Sequence, residues 1–165
     1  MTQETVSHDT PAHDAAARRA PSIFPCLRYQ DAPAAIEWLC TAFGFEKQAV
    51  HPGPDGTVAH AELRLGNGMI MLGSPKGETA GGARSGGPNV VGGPDDWEQS
   101  IYIVLPEVDA HHSRARAAGA RIVRELTDTD YGSRDYSARD PEGYLWNFGT
   151  YQPFDHAPRV TLQQA

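Results

Sequence analysis

Two rhythms of apolar and polar positions run along this chain, and each occurs twice. The first ordered stretch is "IFPCLRY", residues 23–29, a short apolar run with β-type residues at its ends. "DAPAAIEWLCTAFGF" follows, and its Ile36, Leu39, Cys40 and Phe43 fall at i, i+3, i+4 and i+7. That spacing puts them on one stripe of a helix. Asp31 is the expected N-cap, Pro33 falls in the first turn and Gly44 ends the run. Trp38 lies beside the stripe and reads as a core aromatic. "HPGPDGTVAHAELRLGNGMIMLGS" then predicts strand, Gly-Asn-Gly turn and strand, a hairpin. In its first strand Ala59, Ala61, Leu63 and Leu65 point one way, and Val58, His60, Glu62 and Arg64 the other. In its second, Ile70 and Leu72 oppose Met69 and Met71.

The rhythm stops at "SPKGETAGGARSGGPNVVGGPDDW", residues 74–97, which is crowded with Gly and Pro and has no apolar period. A loop of that length reads as a lid or as a linker between two units. After it the first pattern returns. "SIYIVL" is a strand, and "VDAHHSRARAAGA" is a helix with Asp109 as N-cap and Gly119 past its end. "ARIVRE" begins another strand, and "SRDYSARD" and "YLWNFGTY" are two more, joined by Asp-Pro-Glu-Gly. Strand, helix, strands thus occurs twice, an internal repeat that sets the architecture. The predicted layout is a tail over 1–20, a first unit over 21–73, the linker or lid over 74–97, a second unit over 98–152 and a tail over 153–165.

Composition narrows the class. At 165 residues, with 39% hydrophobic and 21% charged, the chain fits one ordinary soluble domain with a core. Its formal net charge of -7 argues against a nucleic-acid partner and suits solubility or the capture of a cationic ligand. Cys26 and Cys40 make no disulfide framework and no metal-binding spacing, so both read as reduced core thiols of a cytoplasmic protein. No apolar run reaches the roughly 18 residues of a membrane span, and the N-terminus lacks a secretory apolar region.

Taken together, "DAPAAIEWLCTAFGF", "HAELRLGNGMIML", "VDAHHSRARAAGA" and "DPEGYLWNFGTY" resemble the vicinal oxygen chelate superfamily. This is the group of glyoxalases, bleomycin-resistance proteins and ring-cleaving dioxygenases, and the nearest flavour is its PhnB-like or bleomycin-resistance-like branch. The resemblance implies an α+β fold of two βαβββ modules whose sheets curl into a cup with helices outside, often completed in a homodimer. Enzymes of the family place metal ligands, usually His, Glu or Gln, on four cup strands. Matched by motif, those positions fall here on Phe24, Met71, Gln99 and Asn147. Phe has no ligand atom, a thioether is too soft for a hard ion, and two neutral amides bring no charge. The expectation is therefore a cup with no metal and no cofactor.

The polar candidates follow from alternation. Phe24, Cys26 and Arg28 share one strand face, as do Gln99, Ile101 and Ile103, and Leu145 and Asn147; all are expected in the cup. Trp146 and Phe148 then face the helices. Arg28 suits a ligand carboxylate or phosphate, with a surface ion pair as the alternative. His60 and Glu62 share a polar face and could move a proton or hold a cation, or be solvated strand residues. Tyr131 and Arg134 sit on a Gly-containing loop at the rim, where specificity is often set. His111 and His112 open a helix and read as solvated. The leading expectation is a metal-free protein, not an enzyme, that binds or sequesters a small organic ligand such as an antibiotic. Phe24, Met69, Met71 and Trp97 would wall the cup, with Arg28, His60, Gln99 and Asn147 as anchors. The alternative is a metal-dependent glyoxalase-like lyase or epimerase using His60 and Glu62.

Overall fold

Each half of the repeat closes on its own four-stranded sheet. The computed structural model describes residues 21–75 and 99–155. Strand β1 (Cys26–Arg28), helix α1 (Ala32–Phe43) and strands β2 (Glu46–Pro52), β3 (Val58–Leu65) and β4 (Gly68–Gly73) make the first βαβββ unit. Strand β5 (Ser100–Val104), helix α2 (Val108–Ala117) and strands β6 (Arg121–Asp128), β7 (Arg134–Arg139) and β8 (Leu145–Gly149) make the second. The sheet orders are β1-β4-β3-β2 and β5-β8-β7-β6. In each, the first and last strands run parallel and the rest antiparallel. The α+β class and the doubled βαβββ unit are as expected. Most of the expected lid or linker, with Trp97, lies outside the described residues.

Local signals place the first helix where the sequence predicts it. The Asp31 carboxylate accepts from the Ala34 amide at 3.0 Å, and Gly44 takes the left-handed conformation, φ 78°, that ends α1. Ile36, Leu39 and Phe43 are buried, and Trp38 packs edge-on to Phe43. Helix α2 differs from expectation. It begins at Val108 with Glu107 at the cap position, and Asp109 lies in its first turn. The Asp109 carboxylate is engaged instead by the Arg134 guanidinium, at 2.9 Å on each oxygen. Strand β2 was not singled out in the sequence, and only Ala49 in it is even half-buried, so no alternation marks it.

Both helices cover the same side of the sheets, and one core runs through both units. Leu27, Ala61, Leu63, Ile70 and Leu72 of the first sheet share it with Tyr136, Ala138, Trp146 and Phe148 of the second. Trp146 and Phe148 face the helices as predicted, and both tilt against Phe43 of α1. Full burial of such a side chain is worth about 1.5–3 kcal/mol. Cys40 packs against this core, but Cys26 is exposed on the other face of β1, a correction to the reading of both thiols as buried.

Polar groups join the units where apolar contact alone would not set their orientation. The Asp140 carboxylate, 5% exposed, accepts from Tyr29 Oη at 2.6 Å, Trp146 Nε1 at 3.0 Å and the amides of Tyr144 and Glu142. Burial pushes its pKa up, against the pull of those hydrogen bonds. Glu142 accepts from the amides of Gln30 and Asp31, and Tyr144 Oη bonds both the amide and the carbonyl of Arg28. The Asp-Pro-Glu-Gly turn of the second unit is thus stapled to the β1–α1 connection of the first. On the helix side, His111 is buried and not solvated as expected. Its Nε2 donates to the Phe43 carbonyl at 2.9 Å, and its Nδ1 accepts from Tyr136 Oη at 2.6 Å. Arg114 donates to the Ala42 and Phe43 carbonyls, so α2 satisfies the carbonyl end of α1.

Two consequences can be measured. Asn at 140 would face four donors with one acceptor oxygen, so Asp140→Asn should lower stability by roughly 2–4 kcal/mol in chemical denaturation. Burial holds the His111 pKa down to about 4, below its ordinary 6.5, so the unfolded chain takes up that proton first. Stability should therefore fall by about 3 kcal/mol as pH drops from the ordinary histidine range to the depressed value. His111→Gln, which keeps a donor and an acceptor, should flatten that part of the pH profile; an unchanged slope would assign the effect to other groups.

Candidate functional site

The faces turned away from the helices carry the candidate chemistry. On the first sheet Leu27, Leu63, Ile70 and Leu72 are buried under the helices, so Cys26, Arg28, His60, Glu62, Met69 and Met71 point into the cup. Register lines up Cys26, Met71, Glu62 and Ala49 across its four strands. Arg28 lies over Gly73, where a methyl group would crowd its Nη1, and reaches the Ser74 carbonyl at 3.5 Å. His60 Nε2 is 3.3 Å from Glu62 Oε1, and its ring stacks on that of His51 at 6.0 Å. His51 was not singled out in the sequence. It reaches this face through the bulged pairing of β2 with β3, which no local pattern announces.

On the second sheet the structure corrects the phase of β5. Ile101 and Ile103 sit beside Trp146 and Phe148 in register and pack on the core. The cup residues of β5 are accordingly Ser100, Tyr102 and Val104. "SIYIV" is apolar on both faces, so sequence alternation could not settle which way it points. Asn147 lies on the face of β8 opposite to the buried Trp146 and Phe148, and it is level with Tyr102, Ser137 and Arg124 across the sheet.

A directional hydrogen-bond chain crosses that row. Arg124 Nε donates to Ser137 Oγ at 3.4 Å, and Ser137 Oγ donates to Asn147 Oδ1 at 2.6 Å. Guanidinium can only donate, so Ser137 Oγ accepts from Arg124 while its own proton goes to the Asn147 amide oxygen. One step along the sheet, Asp135 is 2% exposed. It accepts from Tyr131 Oη at 2.8 Å, from Ser133 Oγ and, more distantly, from Tyr102 Oη at 3.5 Å, with Arg124 at 3.7 Å. Gly149 makes room for this cluster. Arg124, Tyr102, Asp135 and Ser137 were all missed in the sequence, although the alternation of Asp135 and Ser137 with buried Tyr136 and Ala138 was a usable signal.

The remaining predicted residues divide. Phe24 and Gln99 lie just before β1 and β5, outside the strands. Gln99 lines a cleft of about 320 Å³ between β1 and β5, together with Pro25, Cys26, Leu27, Ser100, Ile101, Tyr144 and Leu145. Tyr131 keeps an exposed ring at the rim with its hydroxyl on Asp135. Arg134 is held by Asp109 and Asp128, on the helix side, and does not share the face of Asn147. A metal of the family type does not fit the strand positions that face inward. Cys26, Met71, Tyr102 and Asn147 offer a thiol, a thioether, a phenol and an amide, and among the described residues no three His, Cys, Asp or Glu side chains converge. His51 stacks on His60, but among the described residues it completes no metal-holding group with His60 and Glu62.

A methyl group at position 149 would overlap Asp135 Oδ1 and Tyr102 Oη, neither of which can retreat without losing hydrogen bonds. Gly149→Ala should lower the melting temperature by several degrees, as a loss of roughly 1–3 kcal/mol would. It should also displace the Tyr102 and Tyr131 ring signals in NMR spectra; unchanged spectra would show that the cluster has slack.

Comparisons with known proteins agree with this geometry. The Glyoxalase/Bleomycin resistance protein/Dioxygenase superfamily model matches residues 22–148. An uncharacterised protein of Mycobacterium bovis is 35% identical over 145 residues, covering 88% of this chain and 91% of its own length. One from Mycobacterium tuberculosis H37Rv is 34% identical over 145 residues, covering 88% and 82%. Among solved structures, TioX from Micromonospora sp. ML1 is 32% identical with a TM-score of 0.60, covering 86% of this chain and 100% of its own. The fosfomycin resistance protein FosX from Mesorhizobium loti is 9% identical with a TM-score of 0.56, covering 82% and 94%, a likeness of fold alone. By its doubled βαβββ architecture and by this match, the chain belongs to the glyoxalase/bleomycin resistance protein/dioxygenase superfamily.

Proposed function

We propose that the chain binds a small organic molecule in its cup without the help of a metal, and that it acts by sequestering that molecule. The observation that carries this reading is the chemistry of the inward strand positions. They combine apolar and aromatic surface, from Met71, Leu145 and Tyr102, with a few oriented polar groups, from Arg28, Ser137 and Asn147. Apolar walls with a few convergent polar groups are what ligand pockets share. The cleft beside β1 and β5 gives such a ligand a place to start. Bleomycin resistance is one of the activities in the family's own description, so an antibiotic is a natural candidate for the bound molecule. The chain would work as a homodimer, the arrangement that the family resemblance carries.

Titration calorimetry against a panel of small organic antibiotics, with and without a chelator, tests the reading. One compound should bind saturably at about one equivalent per chain, and the chelator should not change its affinity. Cys26→Trp, which fills the cleft from an exposed position, should weaken that binding at least tenfold. Silence from the whole panel at millimolar concentration would count against the proposal. So would a stoichiometric nickel, zinc or manganese ion on which turnover depends; that result would favour the lyase or epimerase reading built on His60 and Glu62.

A further inference from the structure

The geometry points to an oxyanion as the group this cup recognises: Asn147 and Arg124 form a donor pair for a carboxylate carried on a planar apolar body. The inference rests on the ligand-binding reading above and names the chemistry of the ligand.

Three observations carry it. Asn147 Oδ1 is taken up by the Ser137 hydroxyl, whose own oxygen is taken up by Arg124 Nε. The amide is therefore turned so that Nδ2, with its two N–H bonds, presents to the cup. No hydrogen bond from Nδ2 is made to any described residue, and the atom is not sealed from solvent. A carboxylate at position 147 would present acceptors in the same place. The amide is there to donate.

Charge on this part of the cup runs opposite to that of the chain. The whole chain carries -7, yet Arg121, Arg124 and Arg139 gather on the cup face of β6 and β7. Arg121 and Arg139 are direct cross-strand partners. Arg139 donates to the Gly143 carbonyl, and Arg124 lies 3.7 Å from the buried Asp135 carboxylate, which also holds Tyr131 and Ser133. The acidity of the chain as a whole thus does not describe this part of the cup, where the cationic side chains of β6 and β7 favour a guest bearing negative charge.

The third observation concerns the body of the ligand. Tyr102 neighbours Asn147 in register, and the residue is 39% exposed. Its hydroxyl is anchored by the Tyr151 amide at 3.1 Å and by Asp135. A ring held at its far end is a ready stacking platform. Leu145, two residues before Asn147 on the same face, extends the apolar surface toward the β1–β5 cleft.

Three probes of one shape and different charge separate the possibilities: naphthoate, naphthamide and naphthylmethylammonium. Each is titrated into the intact, isotope-labelled chain, with calorimetry for affinity and NMR for the Asn147 Nδ2 and Arg124 Nε signals. Naphthoate should bind about tenfold more tightly than naphthamide, with the cation weakest, and should move both side-chain signals. Asn147→Asp should erase the advantage of naphthoate over naphthamide. If that variant does not fold, Arg124→Gln on the half-exposed edge strand should lose the same preference. A cation bound as tightly as naphthoate, or naphthoate shifts that avoid Asn147 and Arg124, would overturn the oxyanion site while the binding reading stood. Failure of all three probes to bind would overturn the oxyanion site, and the antibiotic panel decides the binding reading separately.

Discussion

The arrangement of the two units depends on one buried carboxylate. Asp140 is almost wholly withdrawn from water and is tolerable there only because four donors converge on it. Two of those donors come from its own turn, one from Trp146 and one from Tyr29 in the other unit. The carboxylate therefore couples a local event, closure of the Asp-Pro-Glu-Gly turn, to a distant one, arrival of the first unit. Hydrophobic burial would bring the helices and sheets together in many relative positions; directional bonds of this kind select one. Glu142 and Tyr144 repeat the coupling on either side, and the edges of β1 and β5 come to flank a common cleft as a result.

That alignment has a functional consequence. Polar groups from separate strands reach the cup side by side, and their order is set by what each can donate. The bonds run from guanidinium to hydroxyl to amide oxygen, and they leave an N–H pair at the open end. The motif match expects a metal ligand at position 147, and under the proposed reading this chain instead turns a donor toward the cup there. A donor in place of a cation holder reverses the sign of the guest that the position favours. The arginines on β6 and β7 are consistent with that reversal, whereas the net charge of the chain is not. Local placement, within a Debye length of the ligand, outweighs the total.

Much of the fold was legible in the residues. The 3.6-residue stripe of α1, its Asp31 cap and Gly44 stop, the Gly-Asn-Gly hairpin and the burial of Trp146 and Phe148 are consequences of local propensity and patterning, and they appear where the sequence places them. The doubled unit followed from repetition alone. What escaped detection did so for physical reasons. β2 is an exposed edge strand without alternation. β5 is apolar on both faces, so its phase depends on its neighbours. His111 became buried because a carbonyl of α1 and a tyrosine of β7 were both within reach, and neither is near it in sequence.

The site divides along the same line. That position 147 lies on the face of β8 opposite to Trp146 and Phe148, and that it bears a neutral amide with no anionic charge, follows from the sequence. Which end of the amide looks inward is not, because it depends on Ser137 and Arg124, which are ten and twenty-three residues away and meet it only through strand pairing. Asp135 likewise follows alternation to the cup face, but its enclosure by Tyr102, Tyr131 and Ser133 needs the space left at Gly149. Periodicity and side-chain chemistry are written residue by residue. Register, enclosure and the direction of a hydrogen bond belong to pairs of residues, and only the folded chain brings those pairs together.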